Sequence, residues 1–232
     1  MKLLISPADV EEAQAAVEGG ADIIDVKNPA EGSLGASFPW VVKGIRRSIP
    51  ADVEVSATLG DLDGRPGFAS LAAHGLASMD VDYIKAGLLV STKGESQRLA
   101  ASIVRAAKDR GCRVILAGYG DHRDIGSVDP LALPEVAVAA GADGVMVDTY
   151  SKKGSTLFDH MGMEELERFI EDARRQGLAV ALAGSLRTDH IAKLKDLKPD
   201  IIGVRGAVCR GSDRLKGRID REKVRDFKRR LR

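Results

Sequence analysis

Four segments of this chain share one pattern at intervals of about 60 residues: GADIIDVK (20–27), DVDYIKAG (80–87), GADGVMVD (141–148) and KPDIIGVR (198–205). Their leading aspartates are Asp22, Asp82, Asp143 and Asp200. Four further short apolar runs alternate with them: KLLIS (2–6), VEVSATLG (53–60), RVILAGYG (113–120) and LAVALAGSL (178–186). Runs of this length read as strands, and each is followed by a plausible helix. ESQRLAASIVRAAKDRG (95–111) and MEELERFIEDARRQG (163–177) both combine helical apolar spacing with a glycine stop. Eight strand–helix units in 232 residues, with no break in composition, predict a single α/β domain over residues 1–232, a (β/α)8 TIM barrel. A doubly wound open sheet is the alternative, but a repeat that runs to the C-terminus favours closure.

Parity within the repeats separates two faces. Two and four residues beyond each leading aspartate stand Ile24 and Val26, Ile84 and Ala86, Val145 and Val147, Ile202 and Val204, all apolar and expected to meet the outer helices. Three and five residues beyond stand Asp25 and Lys27, Lys85 and Gly87, Met146 and Asp148, Gly203 and Arg205. Strand side chains alternate, so this second set is expected to point into the barrel. Two lysines, two aspartates and an arginine then converge at the C-terminal mouth, where barrel enzymes build their active sites. A structural ion-pair plug is the competing reading. Burying five charges is costly unless they pair well, and valines would fill the space more cheaply.

Inward lysines suit imine chemistry. A lysine that attacks a carbonyl must be neutral at working pH, which requires desolvation or a neighbouring cation. Lys27 and Lys85 are placed to depress one another, with Asp25 and Asp148 to orient amines or carry protons. Sequence alone leaves open which lysine is the nucleophile. The seventh run ends in AGSLRTDH (183–190) and the eighth in GVRGAVCRG (203–211), where barrels often bind phosphate. Gly184, Ser185, Gly206 and Ala207 are the candidate phosphate-binding residues. His122 in GYGDHRDIGS is a weaker candidate for the mouth, and TYSKKGSTLFDHMG (149–162) has the length and position of an active-site lid.

Composition narrows the function classes. A net charge of +1 and an aromatic content of 4% argue against nucleic acid or an acidic membrane as partner. The two cysteines, Cys112 and Cys209, form neither a disulfide framework nor a metal spacing, and no His/Cys/carboxylate set carries convincing metal spacing. The N-terminus lacks a long apolar run. These features predict a cytoplasmic protein that acts on a small molecule with no metal. The oligomeric state stays open, and a homo-oligomer is compatible with it.

DVKNPAEGSLGA (25–36), DYIKAGL (82–88), GYGDHR (118–123) and VMVDTYSKKGSTLFD (145–159) resemble the (5-formylfuran-3-yl)methyl phosphate synthase family, also called 4-hydroxymethyl-2-furancarboxaldehyde-phosphate synthase. The resemblance spans nearly the whole chain. It implies a barrel lyase of the carbon–oxygen class that joins two glyceraldehyde 3-phosphate molecules into a furan for methanofuran biosynthesis, without a cofactor. It also implies that Lys27 is the Schiff-base lysine and Lys85 its acid–base partner. Asp25, Asp148 and a loop lysine assist, the spacing from Asp148 favouring Lys152 over Lys153. Two phosphorylated substrates need two anion sites: the seventh- and eighth-strand loops with Arg205 for one, and the Gly32–Gly35 loop or Lys152 for the other. The competing functions are a class I aldolase or triose-phosphate-isomerase-like enzyme, and a non-catalytic sugar-phosphate-binding protein.

Overall fold

A computed structural model describes residues 1–232. Eight parallel strands close on themselves: β1 (Lys2–Ile5), β2 (Ile23–Val26), β3 (Glu54–Leu62), β4 (Tyr83–Leu88), β5 (Arg113–Tyr119), β6 (Gly144–Asp148), β7 (Ala179–Leu182) and β8 (Ile201–Val204). Each strand pairs with the next, and β8 pairs with β1 to complete the ring. The principal helix after each strand is, in order, α1 (Val10–Glu18), α2 (Pro39–Ser48), α3 (Pro66–Ala77), α4 (Lys93–Lys108), α5 (Leu133–Ala140), α6 (Met163–Arg175), α7 (Ile191–Leu197) and α8 (Arg221–Leu231). No helix is long and apolar enough to cross a membrane.

The 60-residue repeat has a direct physical cause. Each leading aspartate accepts the backbone N–H at the start of the preceding strand. Asp22 takes Leu3 N at 2.6 Å, and Asp82, Asp143 and Asp200 take Val55, Val114 and Val180 N at 2.8 Å. Four carboxylates thus tie alternate strand pairs together at the bottom of the barrel, where these N–H groups would otherwise lack acceptors.

The parity expected from sequence holds on all four repeat strands. Ile24, Val26, Ile84, Ala86, Val145, Val147, Ile202 and Val204 join the apolar layer between sheet and helices. Leu4, Ile23, Tyr83, Ile115, Tyr119, Met146, Ala181 and Ile201 form a second cluster that fills the barrel interior. Helices follow the same logic. Thr92 and Glu95 make a reciprocal capping box on α4, and α6 buries Leu166, Phe169, Ile170 and Ala173. The basic C-terminal stretch folds as α8, capped by Asp220, and buries Val224, Phe227 and Leu231.

β3 breaks the alternation. Its register with β4 shifts between Thr58 and Asp61, and Gly60 there has φ +114°. Such a bulge re-aims the side chains beyond it. Ser56 and Thr58 reach inward to Asp25 and to the carbonyl of Gly35, and the shift turns Asp61 to the mouth as well.

Candidate active site

Asp25 on β2, Lys85 on β4 and Asp148 on β6 meet Lys27, which stands just past the end of β2; all four are buried. Asp25 is fully enclosed and accepts three hydrogen bonds: from Lys85 Nζ at 2.7 Å, Ser56 Oγ at 2.6 Å and Ser6 Oγ at 2.9 Å. A buried carboxylate is tolerable when its lone pairs are satisfied in this way. Asp148 accepts from Lys152 Nζ at 2.5 Å and from Thr149 N at 2.7 Å, both on Oδ1, so Oδ2 receives no protein donor. Burial by itself would raise the Asp148 pKa, but the Lys152 and Lys27 ammoniums outweigh it and hold the carboxyl at about 2.

Lys27 lies between these two ion pairs without a carboxylate of its own. Its Nζ has one protein acceptor, the carbonyl of Ser33 at 3.2 Å. Desolvation lowers its pKa from 10.5 to about 8; Lys85 and Lys152 push the same way, while Asp148 and Asp25 oppose them. Three lysines face two aspartates here, and Lys27 is the one left without a counter-ion. Lys152 sits against Asp148 and Thr149, whereas Lys153 is exposed and stands outside the cavity. Of the two, Lys152 alone lines the cavity.

These groups open onto a cavity of about 510 Å³ on the β6, β7, β8 and β1 side of the mouth. That volume lies within the usual range for small-molecule sites. Gly184, Ser185, Gly206 and Ala207 all line it, and their backbone N–H groups donate to no protein acceptor. Gly184 has φ +105°, and a Cβ there would come within 3.2 Å of Thr149 N, so this loop needs glycine. Ser185 follows with φ +51°. The result is a row of free donors suited to an oxyanion.

Two expected site residues are placed differently. Arg205 lines the cavity, but its guanidinium donates to Glu12 Oε2 and Ser6 O at 2.7 Å each and to Arg214 O at 2.7 Å. It anchors the loop after β8 to α1 rather than offering a free cation. His122 does not line the cavity; its Nδ1 is 3.4 Å from Gly120 O and its Nε2 4.0 Å from Asp129. The Gly32–Gly35 loop is folded into the mouth as a plug. Ser33 N and Leu34 N donate to Asp61, Leu34 is fully buried, and none of the glycines lines the cavity. The loop at 149–162 is tethered at its root, since Asp121 accepts the N–H groups of Tyr150 and Ser151 at 2.7 Å and Ser33 Oγ donates to Thr149 O.

Sequence reasoning missed Asp61, Arg214, Ser6, Ser56 and Glu12. Asp61 lies beyond the bulge, which hides its parity. Arg214 stands in an irregular loop with no period to read. The serines at 6 and 56 continue the inward parity of β1 and β3, and that signal was available.

Residues 3–228 match the profile of the 4-HFC-P synthase family. The (5-formylfuran-3-yl)methyl phosphate synthase of Methanocaldococcus jannaschii is 52% identical over 231 residues, covering 98% of each chain. The chain belongs to the 4-HFC-P synthase family. The protein of the same name from Archaeoglobus fulgidus is 54% identical over 215 residues, 91% of this chain and 92% of that one. Among solved structures, 3-hexulose-6-phosphate synthase from Salmonella typhimurium superposes with a TM-score of 0.68 at 21% identity over the full length of both chains. Phosphoribosyl anthranilate isomerase from Thermotoga maritima gives 0.67 at 14% identity, covering 100% of this chain and 98% of that one. At such identities these two likenesses speak for the barrel fold alone.

Proposed function

We propose that this chain is a (5-formylfuran-3-yl)methyl phosphate synthase, a lyase that condenses two glyceraldehyde 3-phosphate molecules through an imine on Lys27 and so supplies the furan of methanofuran. The observation that carries the reading is Lys27 itself: a desolvated amine without a carboxylate partner, set between two lysine–aspartate pairs and open to a cavity lined by free N–H groups. Family membership and relatives named for this reaction support the choice of product.

The neutral Lys27 amine adds to the aldehyde of one triose phosphate, and loss of water gives a protonated imine. This cation takes the place of the ammonium, so the ionised Asp148, whose field already favours positive charge on Lys27, stabilises it as it forms. The iminium acidifies the neighbouring C–H, and the enamine expels its own β-phosphate by C–O cleavage. The terminal carbon of the resulting unsaturated iminium forms the carbon–carbon bond with the enediolate of the second triose. Oδ2 of Asp148, free of protein donors, is the basic atom available for this work. Lys85 and Lys152 are the proton donors for departing hydroxyl and phosphate, each returned to charge balance by its own aspartate. Ring closure, loss of two waters and release of the amine then give the furan aldehyde, with all atoms accounted for.

The experiment is to incubate the protein with glyceraldehyde 3-phosphate and follow the ultraviolet spectrum. A furan aldehyde absorbs strongly there, and the expected outcome is its growth with release of inorganic phosphate. An acyclic sugar phosphate with no chromophore would make the protein an aldolase, and binding without turnover would make it a sensor.

A further inference from the structure

Five cationic side chains that line the cavity besides Lys27 can be sorted by their partners. Lys85 pairs with Asp25, Lys152 with Asp148, Arg187 with Asp189 and Arg205 with Glu12. Arg214 has no carboxylate within ion-pairing distance. Its sole protein acceptor is the carbonyl of Gly32, 3.0 Å from Nη2. A guanidinium carries five N–H donors, so four remain unclaimed at the cavity. The group is half-buried, and desolvation lowers its pKa from the ordinary value. A guanidinium withdrawn from water without a counter-ion is costly unless an anion arrives to complete it.

Its mounting is equally specific. The Arg214 carbonyl accepts from Arg205 Nε, and Arg205 is itself fixed by Glu12 on α1. The side chain starts beside Gly206, whose Cβ position would lie 3.9 Å from Arg214 Cβ, and ends at Gly32 on the loop after β2. There Arg214 and Lys27 donate to consecutive carbonyls, Gly32 and Ser33. The guanidinium and the reactive amine are therefore held on adjacent carbonyls of one loop.

We propose that Arg214 forms a second phosphate subsite beside Lys27, distinct from the N–H row after β7 and β8. Its planar fork suits two oxygens of a phosphomonoester dianion. Resting on the two-triose condensation for the identity of its ligand, this assignment gives each substrate phosphate its own site. The N–H row takes one, and Arg214 takes that of the molecule whose carbonyl Lys27 captures. Arg205 acts through Arg214 as a positioning residue.

Inorganic phosphate is the probe, titrated into the protein by calorimetry without substrate. Wild type is expected to bind two phosphates per chain. Arg214→Met is expected to bind one, and Ser185→Asp, which puts a negative charge in the N–H row, to retain the one on Arg214. In turnover assays Arg214→Met should raise KM for glyceraldehyde 3-phosphate about 10- to 100-fold, the weight of charge-assisted hydrogen bonds lost. Arg214→Lys keeps the charge but not the fork and should fall between the two; it also reads the site if the methionine variant fails to fold. A wild-type stoichiometry of one, or two phosphates still bound by Arg214→Met, overturns the assignment. Because counting phosphate needs no turnover, the two proposals fail separately. Two phosphates without furan removes the reaction and keeps the subsite, whereas furan with a single phosphate site removes the subsite.

Discussion

At the scale of single residues, the lack of a carboxylate partner is what makes Lys27 the reactive amine. Lys85 is bonded to Asp25 and Lys152 to Asp148, whereas Lys27 has only a carbonyl. Removing the cation at 85 should undo this. Lys85→Met takes away a neighbouring charge that lowers the Lys27 pKa and leaves Asp25 uncompensated, which raises it further. The amine then becomes neutral only at higher pH. The limb of the imine-trapping profile that rises near pH 8 in wild type should move upward in the variant, with low residual activity; coincident profiles would mean the two lysines do not feel each other. The same burial has a stability consequence. The folded pKa of about 8 lies below the unfolded 10.5, so between these values the unfolded chain holds more protons and stability rises with pH. Below pH 8 the buried charge exacts its full penalty. Lys27→Met should therefore stabilise the fold at pH 7 by about 1–3 kcal/mol, and the gain should shrink towards pH 10.5. Urea unfolding at both pH values checks this, and a less stable variant at pH 7 would contradict it.

At the scale of elements, the loop after β2 is a moulded part of the site. Asp61 accepts from Ser33 N at 2.9 Å and from Tyr119 Oη at 2.5 Å, and two glycines leave room for that contact. A Cβ at Gly87 would stand 2.1 Å from the Tyr119 hydroxyl, and one at Gly32 would overlap Asp61 Oδ2. This latch holds the Ser33 carbonyl that orients Lys27. Tyr119→Phe leaves Asp61 short of a donor and should cost about 1–3 kcal/mol of stability, with kcat falling more than KM rises. Wild-type turnover and unfolding would show that the latch does not position the amine. Much of this level was hidden from the sequence. The inward parity of β2, β4 and β6 was readable because those strands alternate regularly. Asp61 was not, because the bulge at Gly60 inverts the alternation before it. Arg205 was correctly turned inward, but its partner Glu12 lies on the first helix, nearly the whole chain away, and no local pattern announces a contact of that range.

At the scale of the molecule, the barrel is closed by its ends. α8 returns to α1, and Phe227, 1% exposed, packs into the layer between helices and sheet. Because α1 also carries Glu12, which pins Arg205 and through it Arg214, the closing contact and the cavity share one support. Phe227→Ala should cost about 3–5 kcal/mol, the usual range for a buried aromatic. Thermal unfolding measures the loss, and a change below 1 kcal/mol would mean the terminal helix is not integral to the fold. The architecture was legible at this scale. The 60-residue repeat marks aspartates that tie neighbouring strands, so one physical device recurs wherever the topology does.

Borohydride trapping decides whether Lys27 forms the imine. Wild type and Lys27→Arg are each reduced in the presence of glyceraldehyde 3-phosphate, and the modified peptide is located by mass spectrometry. Arginine keeps the charge but forms no stable imine under these conditions. The expected result is an adduct on Lys27 in wild type, and neither adduct nor furan from a folded Lys27→Arg. An adduct confined to Lys85 or Lys152, or furan made with no trappable adduct, would contradict the account.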